Sequence, residues 1–167
     1  RELEDPNDKR IRIAIVGKPN AGKSTLVNKI LGYERVIASP VAGTTVDSVE
    51  IPFERNGQEY CLIDTAGLRR HAKRDAGVEK LSAAKVLRTI ERTHLLILVI
   101  DSVQGPSVQD ARIVELALTH HKPVVIALNK SDLAGAKIPE FRKTLREKAS
   151  QTFHFFKDIH LVFMSAK

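Results

Sequence analysis

The sequence predicts a doubly wound α/β sheet, mostly parallel, and three observations carry that expectation. Apolar runs of strand length at residues 11–16, 95–100 and 124–128 are nearly continuous in Ile, Leu, Val and Ala, the pattern of strands covered on both faces. Segments of helical periodicity alternate with them. The pair Asn56-Gly57 lies between two further apolar runs, which marks a hairpin and therefore one antiparallel strand.

The elements follow in order. Residues 1–10 contain Pro6 and Asn7 and no apolar periodicity, so they read as a linker. A first strand ends at Gly17. The next helix carries Leu26, Val27, Ile30 and Leu31 on one face, with Gly32 as a stop. Residues 33–47 hold Pro40, Gly43, Thr44 and Thr45 and read as a long loop, a length that is usually functional or disordered. Hairpin strands at 49–53 and 59–63 come next. A second loop at 64–77 precedes a helix at 78–92. Then come a strand at 95–100, a helix at 106–120, a strand at 124–128, a helix at 139–150 and a last strand at 159–164. Together they predict a six-stranded sheet with helices on both faces, spanning residues 11–167. The alternation stops after a strand. A closing helix is missing from the pattern, so the chain is expected to be a piece of a longer protein.

Composition narrows the class. At 167 residues the chain fits one domain with a sizeable core. No apolar run approaches the roughly 20 residues of a membrane-spanning helix, and the polar N-terminal segment has no signal-peptide pattern. No membrane role is expected, and the chain is expected to be monomeric. Cys61 is the single cysteine. It excludes an intrachain disulfide, reads as a small core residue, and is compatible with a reducing cytoplasm. The net charge of +7 is uneven: residues 69–92 carry eight Lys/Arg against Asp75, Glu79 and Glu91. Such a face can meet a polyanion such as RNA, or it can be a solvated surface.

Four short motifs carry chemistry. Gly17-Lys18-Pro19-Asn20-Ala21-Gly22-Lys23-Ser24 fits G-x-x-x-x-G-K-[ST] between a predicted strand and a helix. This is the phosphate-binding loop of a P-loop nucleotide-binding domain. The glycines let backbone N–H groups curl inward at phosphate oxygens, and the helix N-terminus adds its dipole. Lys23 is placed to neutralise β- and γ-phosphates and Ser24 to bind Mg²⁺; Thr25 is counted with the phosphate-binding residues. Asp64-Thr65-Ala66-Gly67 follows an apolar strand. There Asp64 can hold Mg²⁺ and the Gly67 N–H can meet a γ-phosphate. Of the loop threonines, Thr45 is preferred as the residue completing the Mg²⁺ shell. Both loops would then order with a triphosphate and relax after its cleavage.

Asn129-Lys130-Ser131-Asp132 follows another buried strand. The Asp132 carboxylate can accept from N1–H and the 2-amino group of guanine, donors that adenine lacks, so GTP or GDP is the expected ligand. Asn129 supports the base edge and the neighbouring loop, and the Lys130 stem lies along the ring. Ser165-Ala166-Lys167 ends the last strand, with the Ala166 N–H available to guanine O6. Leu68 occupies the position where many GTPases carry a water-orienting glutamine, and it cannot polarise water. Asn20, beside the phosphates, is the candidate to hold a K⁺ ion that stabilises developing charge, the alternative being a hydrogen bond within the loop. Lys23, Thr45 and Asn20 are thus the expected catalytic residues.

These residues resemble the second GTPase domain of the bacterial Der/EngA ribosome-assembly GTPases. The resemblance rests on residues 12–28, on Glu34-Arg35-Val36-Ile37 with Ala42-Gly43-Thr44-Thr45, on residues 62–70, and on Val78-Glu79-Lys80 and Ile90-Glu91. It implies tandem G domains followed by a KH-like domain, binding to the large ribosomal subunit and its rRNA, and K⁺-stimulated hydrolysis. Residues 1–10 would then be the linker from the first G domain. Ser131 stands where the family commonly has Trp, and Val46 where it commonly has Arg. Two other readings stay open: a related Era-like or tRNA-modification GTPase, and a nucleotide-holding module with negligible turnover.

Overall fold

The computed structural model describes residues 8–33, 35–36, 50–65, 83–133 and 139–166. In chain order the elements are β1 (Ile11–Val16), α1 (Lys23–Tyr33), β2 (Arg35–Val36), β3 (Ile51–Arg55), β4 (Gln58–Ile63), α2 (Ala83–Arg92), β5 (Leu95–Asp101), α3 (Val108–Thr119), β6 (Val124–Asn129), α4 (Pro139–Thr152) and β7 (His160–Phe163). Thr44, Thr45, Val46, Gly67, Leu68 and Lys167 lie outside the described residues, as do residues 1–7.

The strands form one sheet in the order β2-β3-β4-β1-β5-β6-β7. All six expected strands are present, and β3 runs antiparallel to both its neighbours. The hairpin turns at Asn56 (φ 51°) and Gly57 (φ 79°). Two consecutive positive φ values match the right-handed twist of the flanking strands, which is why Asn-Gly suits this turn. The sheet also gains a two-residue edge strand that periodicity does not show. Arg35 and Val36 pair with Glu54 and Phe53, where β3 would otherwise leave its outer N–H and C=O groups unpaired.

Each central strand is apolar throughout because each face is covered. Ala14, Val16, Leu96, Leu98, Ile100, Ile126 and Leu128 meet α2, α3 and α4 through Val86, Ile90, Ile113, Val114, Ala117, Leu145 and Ala149. Alternate residues Ile13, Ile15, Leu62, Val99 and Ala127 point the other way, onto Val27 of α1, as a period of two requires. On that second face Leu95, Ile97 and Val125 are only half-buried, and Val162 is 47% exposed. The α3 start is built by a capping box: Ser107 Oγ accepts from the Asp110 N–H while the Asp110 carboxylate accepts from the Ser107 N–H at 2.9 Å. The parallel strands β1, β4, β5, β6 and β7 all end at one edge of the sheet, where open α/β sheets bind ligands.

Candidate nucleotide-binding site

The loop after β1 passes close to two neighbours, and glycine permits both approaches. Gly17 sits at φ 149°, where a Cβ would collide with the Val99 carbonyl oxygen. Gly22 sits at φ 100°, where a Cβ would collide with Asn129 Nδ2. Any other residue would push the loop off β5 and β6. Asn20, at φ 62°, supplies the turn between them. α1 begins with the Leu26 N–H donating to the Gly22 carbonyl at 3.0 Å, so its N-terminal dipole faces the loop. Lys23 Nζ folds back to donate to the carbonyls of Gly17 (2.9 Å) and Lys18 (2.7 Å). That holds the ammonium at the mouth of the loop, where a phosphate would meet it. Lys18 in turn approaches the buried Asp110 carboxylate at 3.9 Å, which tethers the loop to α3.

The end of β6 ties this loop to the other end of the cleft. Asn129 is buried, donates from Nδ2 to the Ala21 carbonyl at 2.9 Å, and accepts at Oδ1 from the Ala166 N–H at 2.9 Å. One side chain therefore fixes both the phosphate loop and the loop after β7. The Ala166 N–H, expected at a base oxygen, is engaged with Asn129 here. Lys130 Nζ donates to the Asn20 carbonyl and to Asp101 Oδ2, each at 2.7 Å. Ser131 Oγ donates to the Met164 carbonyl at 2.7 Å, which clips the turn to β7. Asp132 is exposed at that turn and, among the described residues, engages no partner. Lys23 and Asp132 thus belong to loops that meet at one sheet edge.

Two residues of this network were not singled out from sequence. Asp101 ends β5 and bonds Lys130 and the Val103 N–H (2.8 Å). Burial alone would raise its carboxyl, but the Lys130 and backbone hydrogen bonds outweigh that and lower it. The available signal is an apolar strand ending in a carboxylate at the ligand edge. Thr89, on α2, donates to Asp64 Oδ2 at 2.5 Å, and Arg92 Nη1 lies 3.7 Å from Asp64 Oδ1. Asp64 is placed at the end of β4 as expected, at φ 56°, but its carboxylate faces α2. Only tertiary packing brings these groups together, so no local pattern shows them. Ser102 Oγ, beside Asp101, is buried with no hydrogen-bond partner among the described residues. Cys61 is buried, and burial, aided by Glu50, pushes its thiol up to about 11, which leaves it protonated and inert at neutral pH.

Ser24 and Asp64 carry the hard-oxygen chemistry that Mg²⁺ takes, with the Asp64 carboxylate turned to Thr89 and Arg92 in this structure. Mg²⁺ is commonly held by one or two side-chain oxygens together with ligand phosphates. No helix among the described residues is long and apolar enough to cross a membrane.

Comparison with known proteins is consistent with this geometry. A family described as 50S ribosome-binding GTPase matches residues 12–130. GTPase Der of Paracidovorax citrulli is 44% identical over 167 residues, which is 99% of this chain and 36% of that protein. The chain therefore spans about a third of the length of such curated relatives. Among solved structures, a single-residue variant of Aquifex aeolicus Era bound to GDP and AlF₄⁻ superposes with a TM-score of 0.63 at 27% identity, covering 93% of this chain and 50% of that one. Era in complex with MgGDPNP and nucleotides of 16S ribosomal RNA has the same TM-score at 26% identity, with 93% and 50% covered.

Proposed function

The chain belongs to the family of 50S ribosome-binding GTPases and fits a G domain of the Der type, and from that premise we propose that it binds GTP, hydrolyses it to GDP and phosphate, and acts in assembly of the large ribosomal subunit. The observation that carries the reading is the Asn129 bridge between Ala21 and Ala166, which joins a phosphate-binding loop and a base-binding loop in one cleft. Gly17, Lys18, Pro19, Ala21, Gly22, Lys23, Ser24 and Thr25 cradle the phosphates. Asp132 reads the guanine edge, with Asn129, Lys130, Ser165, Ala166 and Lys167 around it.

Ser24, Asp64 and Thr45 are the residues that would hold Mg²⁺, and bound Mg²⁺ supplies a compact positive charge to the phosphate oxygens. In the reaction a water oxygen bonds to the γ-phosphorus, the bond from that phosphorus to the β–γ bridging oxygen breaks, the electron pair leaves with GDP, and a proton of the attacking water is given up as its oxygen becomes part of inorganic phosphate. Lys23 stabilises the charge gathering on that oxygen. Leu68 offers no polar group, so further positive charge is needed. We assign it to K⁺ held by the Asn20 amide oxygen. Asn20 is exposed in the loop, and its side chain makes no hydrogen bond among the described residues. The chain is the second G domain of a longer cytoplasmic protein, flanked by another G domain and a KH-like domain. The half-open second face of the sheet fits a closing helix supplied by that longer chain.

Single-turnover GTP hydrolysis in K⁺ against Na⁺ tests the enzymatic reading. The expected result is faster turnover in K⁺, by about tenfold or more, and loss of that difference in Asn20→Ala. Equal, negligible rates in both salts, with GTP still bound, would leave a nucleotide-holding module instead.

A further inference from the structure

The side of α4 turned toward β7 carries a charged groove that the nucleotide site does not use. Phe141, Leu145 and Ala149, spaced by four, pack inward. The adjoining row, Arg142, Arg146 and Ser150, lines a depression of about 620 Å³. Arg146 and Ser150 also line a second depression of about 450 Å³, which continues to Lys157. Four cations line the two, Lys143 being the fourth, against one carboxylate, Glu147.

Arg142 and Arg146 are held in an unusual way. Both guanidinium groups lie over the ring of Phe163 in β7, at 5.2 and 5.3 Å from its centroid. Neither makes an ion pair or a hydrogen bond among the described residues. By contrast Arg10 and Arg92 hold carboxylates at 2.7 Å. Like charges four apart on a helix repel, and here they converge on one ring. The ring orders the two planes, their N–H donors stay available, and a bridging anion would relieve the repulsion.

We propose that this groove binds an unpaired RNA strand, with Arg142 and Arg146 on its phosphates. The inference rests on the ribosome-assembly reading and names the surface for it. Successive turns of α4 set the Cα atoms of Arg142 and Arg146 about 6 Å apart along the helix axis, and both guanidinium groups come to the one Phe163 ring, so the pair presents its donors to one stretch of a strand. The rings of His154 and Phe156 line the second depression with Arg146, and His154 packs edge to face against the exposed Phe155 at 5.5 Å. Cations next to stackable rings suit a strand that offers both phosphates and base faces. An acidic peptide would use the cations and leave the rings idle.

The test is binding of the full 167-residue chain to a fluorescent single-stranded oligoribonucleotide across a KCl series, with GDP affinity measured in parallel. Wild type binds. Arg142→Ala with Arg146→Ala binds at least about tenfold weaker, and the slope of log K against log salt falls by about 1.4, two phosphates at 0.7 each. GDP affinity is unchanged. Phe163→Leu keeps the charge, so it weakens binding with the slope intact. If the alanine pair loses GDP binding and hence its fold, Arg142→Gln with Arg146→Gln carries the same expectation. Wild-type-like binding by the double variant, no binding by wild type, or loss in Arg88→Ala alone would overturn the assignment. The last would place RNA on α2. Polyglutamate bound as tightly as RNA, and lost in the double variant, would overturn it in favour of an acidic protein. Wild type that binds RNA but not GDP would sink the GTPase reading and leave the groove standing.

Discussion

Asp101 shows how a single residue can govern a site it does not enter. Its carboxylate, lowered by the Lys130 and backbone hydrogen bonds against the cost of burial, holds Lys130 across the Asn20 carbonyl. Asp101→Asn removes a charge-assisted bond worth about 1.5–3 kcal/mol, so both stability and GDP affinity fall at neutral pH. The sign of the pH dependence follows from the lowered folded value. The contribution is complete above the unfolded value of about 3.9 and disappears as pH falls through the folded one. Denaturation midpoints of wild type and variant therefore differ at pH 7 and converge in acid below about pH 4; a constant difference at all pH values would remove Asp101 from this role. Ser102, its neighbour, is the opposite case. Its buried hydroxyl has no partner among the described residues, so Ser102→Ala is expected to be neutral or stabilising by up to about 1 kcal/mol in thermal unfolding, and a clear loss would reveal a bond to residues outside those described.

Between elements, the contact of β4 with α2 matters most. Thr89 Oγ1 donates to Asp64 Oδ2 at 2.5 Å, so the carboxylate expected to serve Mg²⁺ is shared with a helix. Thr89→Val keeps the volume and removes the donor. The expected result is tighter Mg²⁺ dependence of GTP binding, by about fivefold for a bond near 1 kcal/mol, together with a small loss of thermal stability. An unchanged Mg²⁺ titration would show that the bond does not compete. The same scale shows what sequence could reveal. The Asn56-Gly57 turn and the apolar strands were legible because period and turn chemistry act locally. β2 was not: Arg35 and Val36 are a strand only because β3 offers an open edge. The phosphate loop and the Asn129–Asp132 turn were legible as contiguous motifs. Asp101, Thr89 and the Arg142–Arg146 pair were not, because each draws its meaning from a residue at least 17 positions away.

For the whole molecule, the parallel strands deliver their loops to one edge, and Asn129 and Lys130 tie the loop after β1 to the loops after β6 and β7. On the proposed reading, this arrangement makes base identity and phosphate binding parts of one equilibrium. The measurement that tests this most directly is calorimetric titration of wild type and Asp132→Asn with GDP and with xanthosine diphosphate, which presents a carbonyl where guanine presents its 2-amino group. Wild type is expected to prefer GDP. Asp132→Asn should lose at least about a hundredfold in GDP affinity and gain xanthosine diphosphate, because the amide now donates where the carboxylate accepted. Undiminished GDP affinity in Asp132→Asn would contradict the account.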